Sequence, residues 1–386
     1  MPVLTYQLCD DGLYLHTDRG LLMALTPYTA RAVRVRCTLR DTFSTRESLM
    51  VTARPAAIPF TVAETPERLV FATDELVIEI DRQTAAFTYR DRAGRLLTRE
   101  PARGGKTLLP VDVIVSQFDA SVDAEHGASV DGVRSHARAV RQVVDRQAYQ
   151  TKLEFEWADG EALYGLGSHE EGMFNLRGQH QYLYQQNMKA VVPVLVSTRG
   201  YGVLLDCYSL MTFHDDAFGS YLWSEVADEL DYYFMYGPEF DQMVRELRGL
   251  TGAAPMLPKW AFGYVQSKER YVTQAELLEV VREYRSRNLP LDCIVLDWKS
   301  WPGDLWGQKT LDPERFPDPD GLTAALHDLH AHLMVSVWPI MARGGDNWRE
   351  MLEHGYLLGN QATYNAFDPA ARACYWEQAN RGLFNH

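Results

Sequence analysis

Residues 291–308, LDCIVLDWKSWPGDLWGQ, end an apolar run on one carboxylate, Asp297, and follow it with three indoles: Trp298, Trp301 and Trp306. A carboxylate closing a segment built for burial must cap a helix, pair with a cation or meet a ligand, because leaving it desolvated and alone is costly. Indole faces beside it suit a ligand with flat faces, although large cores use aromatics too. A second apolar run, LMVSVWPI (333–340), carries Trp338 near its end, where core packing is the default reading. Asp304, Asp312 and Asp318 follow in WPGDLWGQKTLDPERFPDP.

Two rhythms position these residues. Up to about residue 240 the chain alternates with period two: RAVRVRCTL (31–39), RLVFA (68–72), ELVIEI (75–80) and AAFTYRDRAGRLL (85–97). The last reads as a hairpin turning at Asp91-Arg92-Ala93-Gly94. ALYGLG (162–167), VVPVLVSTRGYGVLLDCYS (191–209) and ELDYYFMYG (229–237) continue the pattern, which predicts an antiparallel β-sandwich over residues 1–240. A helical linker is expected over 241–258, around FDQMVRELRGLTG and AAPMLPKW.

From 259 to 386 apolar runs alternate with amphipathic ones. Strands are expected at 261–267, 291–298 and 333–340, with helices at 274–287, 321–332, 347–355 and 368–383. Thr273 and Glu276 read as a capping box opening the first of these helices. YLLGNQATYN (356–365) reads as a short strand or a loop. Strand–helix alternation implies a parallel sheet, and runs such as CIVL and MVSV imply burial on both faces. A doubly wound sheet would carry a glycine-rich phosphate loop after its first strand, and none is present. Gln266, Ser267, Asp297, Trp298 and Trp338 recur at the C-terminal strand ends, the face on which a (β/α)8 barrel builds its site. The expected fold class is therefore an N-terminal antiparallel β-sandwich followed by the first half of a (β/α)8 barrel. Three or four βα units are visible where eight are needed, so the barrel is expected to be incomplete.

The net charge of −14 argues against nucleic-acid and anionic-membrane partners. The N-terminus lacks a basic flank and a long apolar core, and the five cysteines are scattered, which predicts a cytoplasmic protein with reduced thiols. His169, His180 and His214 are dispersed, and no HxH or HExxH spacing exists, so no metal site is expected. His327 and His330 share a helical face with His332 nearby, and that face is expected to pack or meet solvent. No cofactor is expected.

The ordered set YGLGSHE, LVSTRGYGVLLD, KWAFGYVQSKERY, LPLDCIVLDW, WGQKTLDPERFPDP and VSVWPIM resembles glycoside hydrolase family 31, the retaining α-glucosidases and α-xylosidases. The WGQKTLDPERFPDP stretch and the LDW loop look closest to the α-xylosidase-like branch. The resemblance implies a pocket for one non-reducing-end sugar, with an oligosaccharide as partner and homo-oligomerisation left open. It implies that Asp297 holds sugar hydroxyls, with Trp298, Trp301 and Trp338 around it. It also implies that the loop QQNMKA (185–190), with Gln186 and Asn187, reaches over the rim. An aspartate that some α-glucosidases present there has no clear counterpart here. The family's nucleophile and acid/base aspartates are expected beyond residue 386, so no residue from 1 to 386 is assigned either role. The chemistry needs both carboxyl groups about 5–5.5 Å apart, so this chain alone is expected to turn over no substrate. The rival reading is a non-catalytic carbohydrate-binding or structural protein.

Overall fold

A computed structural model describes residues 2–117, 125–129, 132–136 and 141–386. The chain divides into two compact units, one formed by 1–113 and 145–254, the other by 114–144 and 255–386.

The first unit is built of antiparallel sheets. Its eight-stranded sheet runs in the order Val3–Cys9, Gly12–Thr17, Leu22–Pro27, Ala32–Thr38, Leu230–Tyr236, Tyr201–Leu205, Ala190–Ser197, Leu163–Ser168. The expected hairpin is present, with Phe87–Asp91 and Leu96–Arg99 inside a five-stranded sheet and Gly94 at φ +85° in the turn. A second five-stranded sheet ends in the order Arg141–Glu154, Gly219–Ala227, Met211–Asp216, His180–Leu183. Alternate residues of these strands meet in one core. Tyr89 stacks on Phe234 at 3.8 Å between ring centres, and its hydroxyl meets that of buried Tyr232 at 2.8 Å. A buried tyrosine keeps its polar tip satisfied in this way.

The strand Leu163–Ser168 breaks the regular pattern. Gly165, Leu166 and Gly167 take φ of +106°, +64° and +101°, and the register to Ala190–Ser197 shifts there. A Cβ on Gly167 would lie 1.9 Å from the Ala190 carbonyl oxygen, so only glycine fits this bulge.

The second unit holds a three-stranded parallel sheet, Val265–Gln266, Cys293–Leu296 and His332–Val335. All four residues of Cys293–Leu296 are buried. Leu277, Leu278 and Val281 of the helix Gln274–Ser286 and Leu322 and Leu326 of the helix Pro319–Asp328 share a core with Ile294 and Leu296. Thr273 caps the first helix by accepting from the Glu276 N–H at 3.2 Å. The Glu276 side chain reaches one residue further back than a capping box requires, to the Val272 N–H at 2.7 Å.

The strands are shorter than the apolar runs. Lys259–Phe262 forms a 3-10 turn, leaving Val265–Gln266 as the first strand. Gly263 packs against Asp292, whose carboxylate accepts the Tyr264 N–H at 3.1 Å; a Cβ there would lie 2.0 Å from that carboxylate. The third strand stops at Val335, three residues before Trp338, where its partner strand ends at Leu296. Residues 356–365 make only isolated bridges, Leu357 to Tyr364 and Ile340 to Thr363. The last helix, Pro369–Ala379, widens into a π turn at Asn380–Phe384. No described helix is long and apolar enough to cross a membrane.

Candidate functional site

Asp297 directly follows the fully buried strand Cys293–Leu296, at its C-terminal end. Its side chain is half-buried, and among the described residues no hydrogen bond or ion pair engages its carboxylate. The bland alternatives, helix cap and loop salt bridge, are therefore not realised. The chain instead leaves the strand through the Trp298 N–H, which donates to the Glu269 carbonyl at 3.0 Å.

Trp298 is the centre of an edge-to-face cluster. Its ring lies 5.2 Å from Trp301, 4.5 Å from Trp306 and 5.4 Å from Trp338, at interplanar angles of 82°, 89° and 74°. Trp306 and Trp338 touch at 5.3 Å. Such pairs hold rings in fixed orientations beyond what apolar burial provides. The four indoles have distinct roles. Trp301 is 3% exposed and supports its neighbours from within the packed loop. Trp298, Trp306 and Trp338 are half-buried. The Trp338 indole N–H is buried without a hydrogen-bond partner, while its carbonyl accepts the Tyr375 hydroxyl at 2.9 Å.

The acidic motif after the tryptophans is the brace of their loop. The Arg315 guanidinium donates to Asp312 at 2.9 Å and to the Trp301 carbonyl at 2.8 Å. The Asp312 N–H reaches the Ser300 carbonyl at 2.8 Å, and the Ala342 N–H reaches that of Trp306 at 2.7 Å. Hydrogen bonding from Arg315 holds the Asp312 carboxyl below its ordinary range. Asp318 caps the helix Pro319–Asp328 through the Gly321 N–H at 2.9 Å, and Asp304 lies 3.4 Å from Lys299. Each of the three carboxylates thus has a local partner in the loop or at the helix start. Lys309 beside them is 1% exposed, its ammonium 4.2 Å from the Tyr375 ring centre, and burial lowers its pKa to about 8.

At the neighbouring strand, Gln266 is occupied: its side-chain oxygen accepts the Tyr264 and Tyr284 hydroxyls at 2.7 Å each. His327, His330 and His332 do not converge on one point. His332 stacks on Trp260 at 4.1 Å and meets His327 edge-on, while His330 sits in a left-handed turn.

Gln186 and Asn187 belong to the first unit, exposed at the tip of a turn in which the Lys189 N–H donates to the Gln186 carbonyl at 3.2 Å. The turn is anchored by Lys189, whose ammonium lies 2.7 Å from Glu171, and by Gln185, which accepts the Val191 N–H at 3.0 Å. This anchoring was not visible in the sequence, since Glu171 and Lys189 are separated by a strand. A cleft of about 270 Å³ in the same unit is lined by Arg68, Glu79, Arg99 and Glu156. Its charges are already paired, Arg68 with Glu79 at 2.8 Å and Arg99 with Glu156 at 2.7 Å, which leaves little for a ligand.

With this geometry in place, comparison with known families is decisive. Residues 254–386 match the glycosyl hydrolases family 31 TIM-barrel domain, and residues 22–214 match the glycosyl hydrolase 31 N-terminal galactose mutarotase-like domain. The chain belongs to glycosyl hydrolase family 31. An α-xylosidase of Saccharolobus solfataricus is 37% identical over 237 residues, covering 59% of this chain and 32% of the relative. An uncharacterised family 31 glucosidase of Pseudescherichia vulneris is 28% identical over 380 residues, covering 95% of this chain and 69% of the relative. Among solved structures, a family 31 α-xylosidase from a soil metagenome, complexed with xylose, superposes with a TM-score of 0.78 at 26% identity. That match covers 99% of this chain and 56% of the solved one. The α-xylosidase from Xanthomonas citri gives a TM-score of 0.81 at 24% identity, over 98% of this chain and 56% of that one. The chain thus spans between about a third and about two thirds of the length of the curated relatives above. The antiparallel first unit and the parallel second unit are the family's mutarotase-like domain and the opening strands of its TIM barrel.

Proposed function

We propose that this family 31 chain is part of a retaining α-glycosidase that removes terminal non-reducing α-xylosyl or α-glucosyl residues, with its nucleophile and acid/base aspartates beyond residue 386. The observation that carries the reading is Asp297: a carboxylate with no described partner at the C-terminal end of a parallel strand, beside ordered indoles. That end of a barrel strand is where catalytic and substrate-gripping groups sit. An ionised carboxylate that accepts two sugar hydroxyls orients the ring, and a hydrogen bond to a charged group contributes about 1.5–3 kcal/mol. The α-xylosidase relatives support xylose as the first sugar to try, and the pairing with glucose stays open. Gln186 and Asn187 are proposed as rim contacts.

The test is turnover of aryl α-xylosides and α-glucosides by the full-length protein and its Asp297→Asn variant. The variant should lose roughly 10- to 150-fold in kcat/KM, the equivalent of that hydrogen-bond energy. A variant as active as the parent would remove Asp297 from the site. Saturable xylose binding with no turnover by the full-length protein would favour the non-catalytic carbohydrate-binding reading.

A further inference from the structure

Two histidines that lie 34 residues apart in the chain meet on the outer face of the first unit. His180 opens the edge strand His180–Leu183 and pairs directly with His214 of Met211–Asp216. Their Nδ1 atoms are 2.6 Å apart. His214 turns its other nitrogen, Nε2, to the Asp216 carboxylate at 3.0 Å, and its ring stacks on Tyr221 at 4.7 Å.

The Phe218 N–H donates to an Asp216 carboxylate oxygen at 2.7 Å, and the other carboxylate oxygen faces the His214 ring. With Nε2 donating to that carboxylate at 3.0 Å, the His214 Nδ1 presents a lone pair to His180. A neutral His180 can donate its Nδ1 hydrogen to that lone pair, and in place of this hydrogen the same two nitrogens can take a metal ion. The carboxylate–histidine arrangement on the far side of His214 is the one that orients and strengthens a metal-ligating imidazole.

We propose that His180 and His214 form a binding site for a divalent transition metal through their Nδ1 atoms, with Asp216 as the positioning residue behind His214. Metal–nitrogen bonds of about 2.0–2.1 Å place two ligand atoms roughly 2.9 Å apart at a 90° angle and roughly 3.3 Å apart at a tetrahedral one. The 90° geometry lies nearer the observed 2.6 Å separation, which favours Cu2+ or Ni2+ over tetrahedral Zn2+. His180 is exposed and His214 half-buried, so both rings can make that adjustment and water can fill the remaining positions. The edge strand continues from His180 through Leu183 into the turn carrying Gln186 and Asn187. A bound ion would cross-link the stem of that turn to the neighbouring strand.

The experiment is titration of the full-length protein with Cu2+ alone, followed by electron paramagnetic resonance, alongside His180→Ala, His214→Ala and Asp216→Asn. The expected result is one Cu2+ per chain whose spectrum shows coupling to two imidazole nitrogens. Either alanine variant should lose that signal with an unchanged far-ultraviolet circular dichroism spectrum. Asp216→Asn should weaken binding roughly 10- to 100-fold. An identical signal in the His180→Ala variant, or no stoichiometric Cu2+ in the parent protein, would overturn the assignment and leave a hydrogen bond between the rings. Zn2+ binding tighter than Cu2+ would overturn the 90° geometry.

Discussion

Lys106→Met tests how the first unit tolerates charge in its core. The Lys106 and Glu100 side chains are 2% and 0% exposed, with Nζ 2.6 Å from one carboxylate oxygen and 2.7 Å from the other. Nζ also lies 3.3 Å from the Phe87 ring centre, and Glu100 accepts the Phe87 and Gly105 N–H groups at 3.1 and 3.2 Å. Burial raises the Glu100 pKa above its ordinary value, against the opposing pull of Lys106. Methionine fills the lysine's volume but removes the cation, leaving a desolvated carboxylate with two amides. Breaking one side of a buried pair costs about 3–5 kcal/mol. The pH dependence fixes the cause. Without Lys106 the folded pKa of Glu100 rises further, so a protonated Glu100 supports the fold below the ordinary carboxylate pKa. That support is lost as pH rises through the folded value, at up to about 1.4 kcal/mol per pH unit. Urea unfolding at pH 5 and pH 8 should therefore show the variant's deficit growing toward pH 8. The double variant Glu100→Gln with Lys106→Met should recover most of it, because the amide oxygen still accepts both N–H groups. A deficit below about 1 kcal/mol, or one independent of pH, would refute the reasoning.

Other substitutions probe single features. Gly167→Ala forces a side chain into the Ala190 carbonyl at φ +101° and should destabilise the first unit by about 2 kcal/mol or more in denaturant unfolding. Lys309→Met should be neutral or stabilising by up to about 2 kcal/mol at pH 7, since a buried ammonium without a described carboxylate partner is replaced by an apolar chain. The Lys309 pKa is depressed to about 8, so the parent recovers stability as pH rises from 8 toward the lysine's ordinary value, and the variant's advantage should shrink over that window in thermal melts. Arg315→Ala removes the brace on the Trp301 carbonyl and should cost about 2–3 kcal/mol, read by unfolding together with a shift in tryptophan fluorescence. Unchanged fluorescence would mean that the indole cluster holds itself.

Period-two and strand–helix rhythms carried most of the architecture because both follow from which faces are buried. The runs CIVL and ELVIEI lie in strands, and Thr273 caps its helix as read. Strand ends were less legible. AFGYVQS and LMVSVWPI are largely apolar, yet only Val265–Gln266 and His332–Val335 pair, because pairing ends where the partner strand ends and apolarity does not record that. Asp297 was legible as a strand-end carboxylate, whereas the burial of Trp301 among identical-looking indoles was not, since it depends on Arg315 and Asp312 folding back across the loop. The meeting of His180 and His214 was hidden for the same reason: cross-strand register, not spacing in the chain, brings them together.

The run of tryptophans after Asp297 follows from the same logic. A carboxylate meant to meet a ligand must be held without a permanent partner, and a strand end alone leaves it free to swing to the nearest cation. Lys299 is two residues away, yet it lies against Asp304 at 3.4 Å. Arg315 is likewise occupied, by Asp312 and the Trp301 carbonyl. The edge-to-face indoles fix the loop between these pairs, so Lys299 and Arg315 have other partners and Asp297 has none among the described residues. Asp312→Asn should therefore disturb the site indirectly. With its pairing to Asp312 weakened, Arg315 becomes available to other carboxylates, and sugar affinity should fall without any direct contact being lost. The check is whether the Arg315→Ala, Asp312→Asn double variant restores part of that affinity. If the double variant binds sugar no better than Asp312→Asn alone, the isolation of Asp297 does not depend on keeping Arg315 engaged.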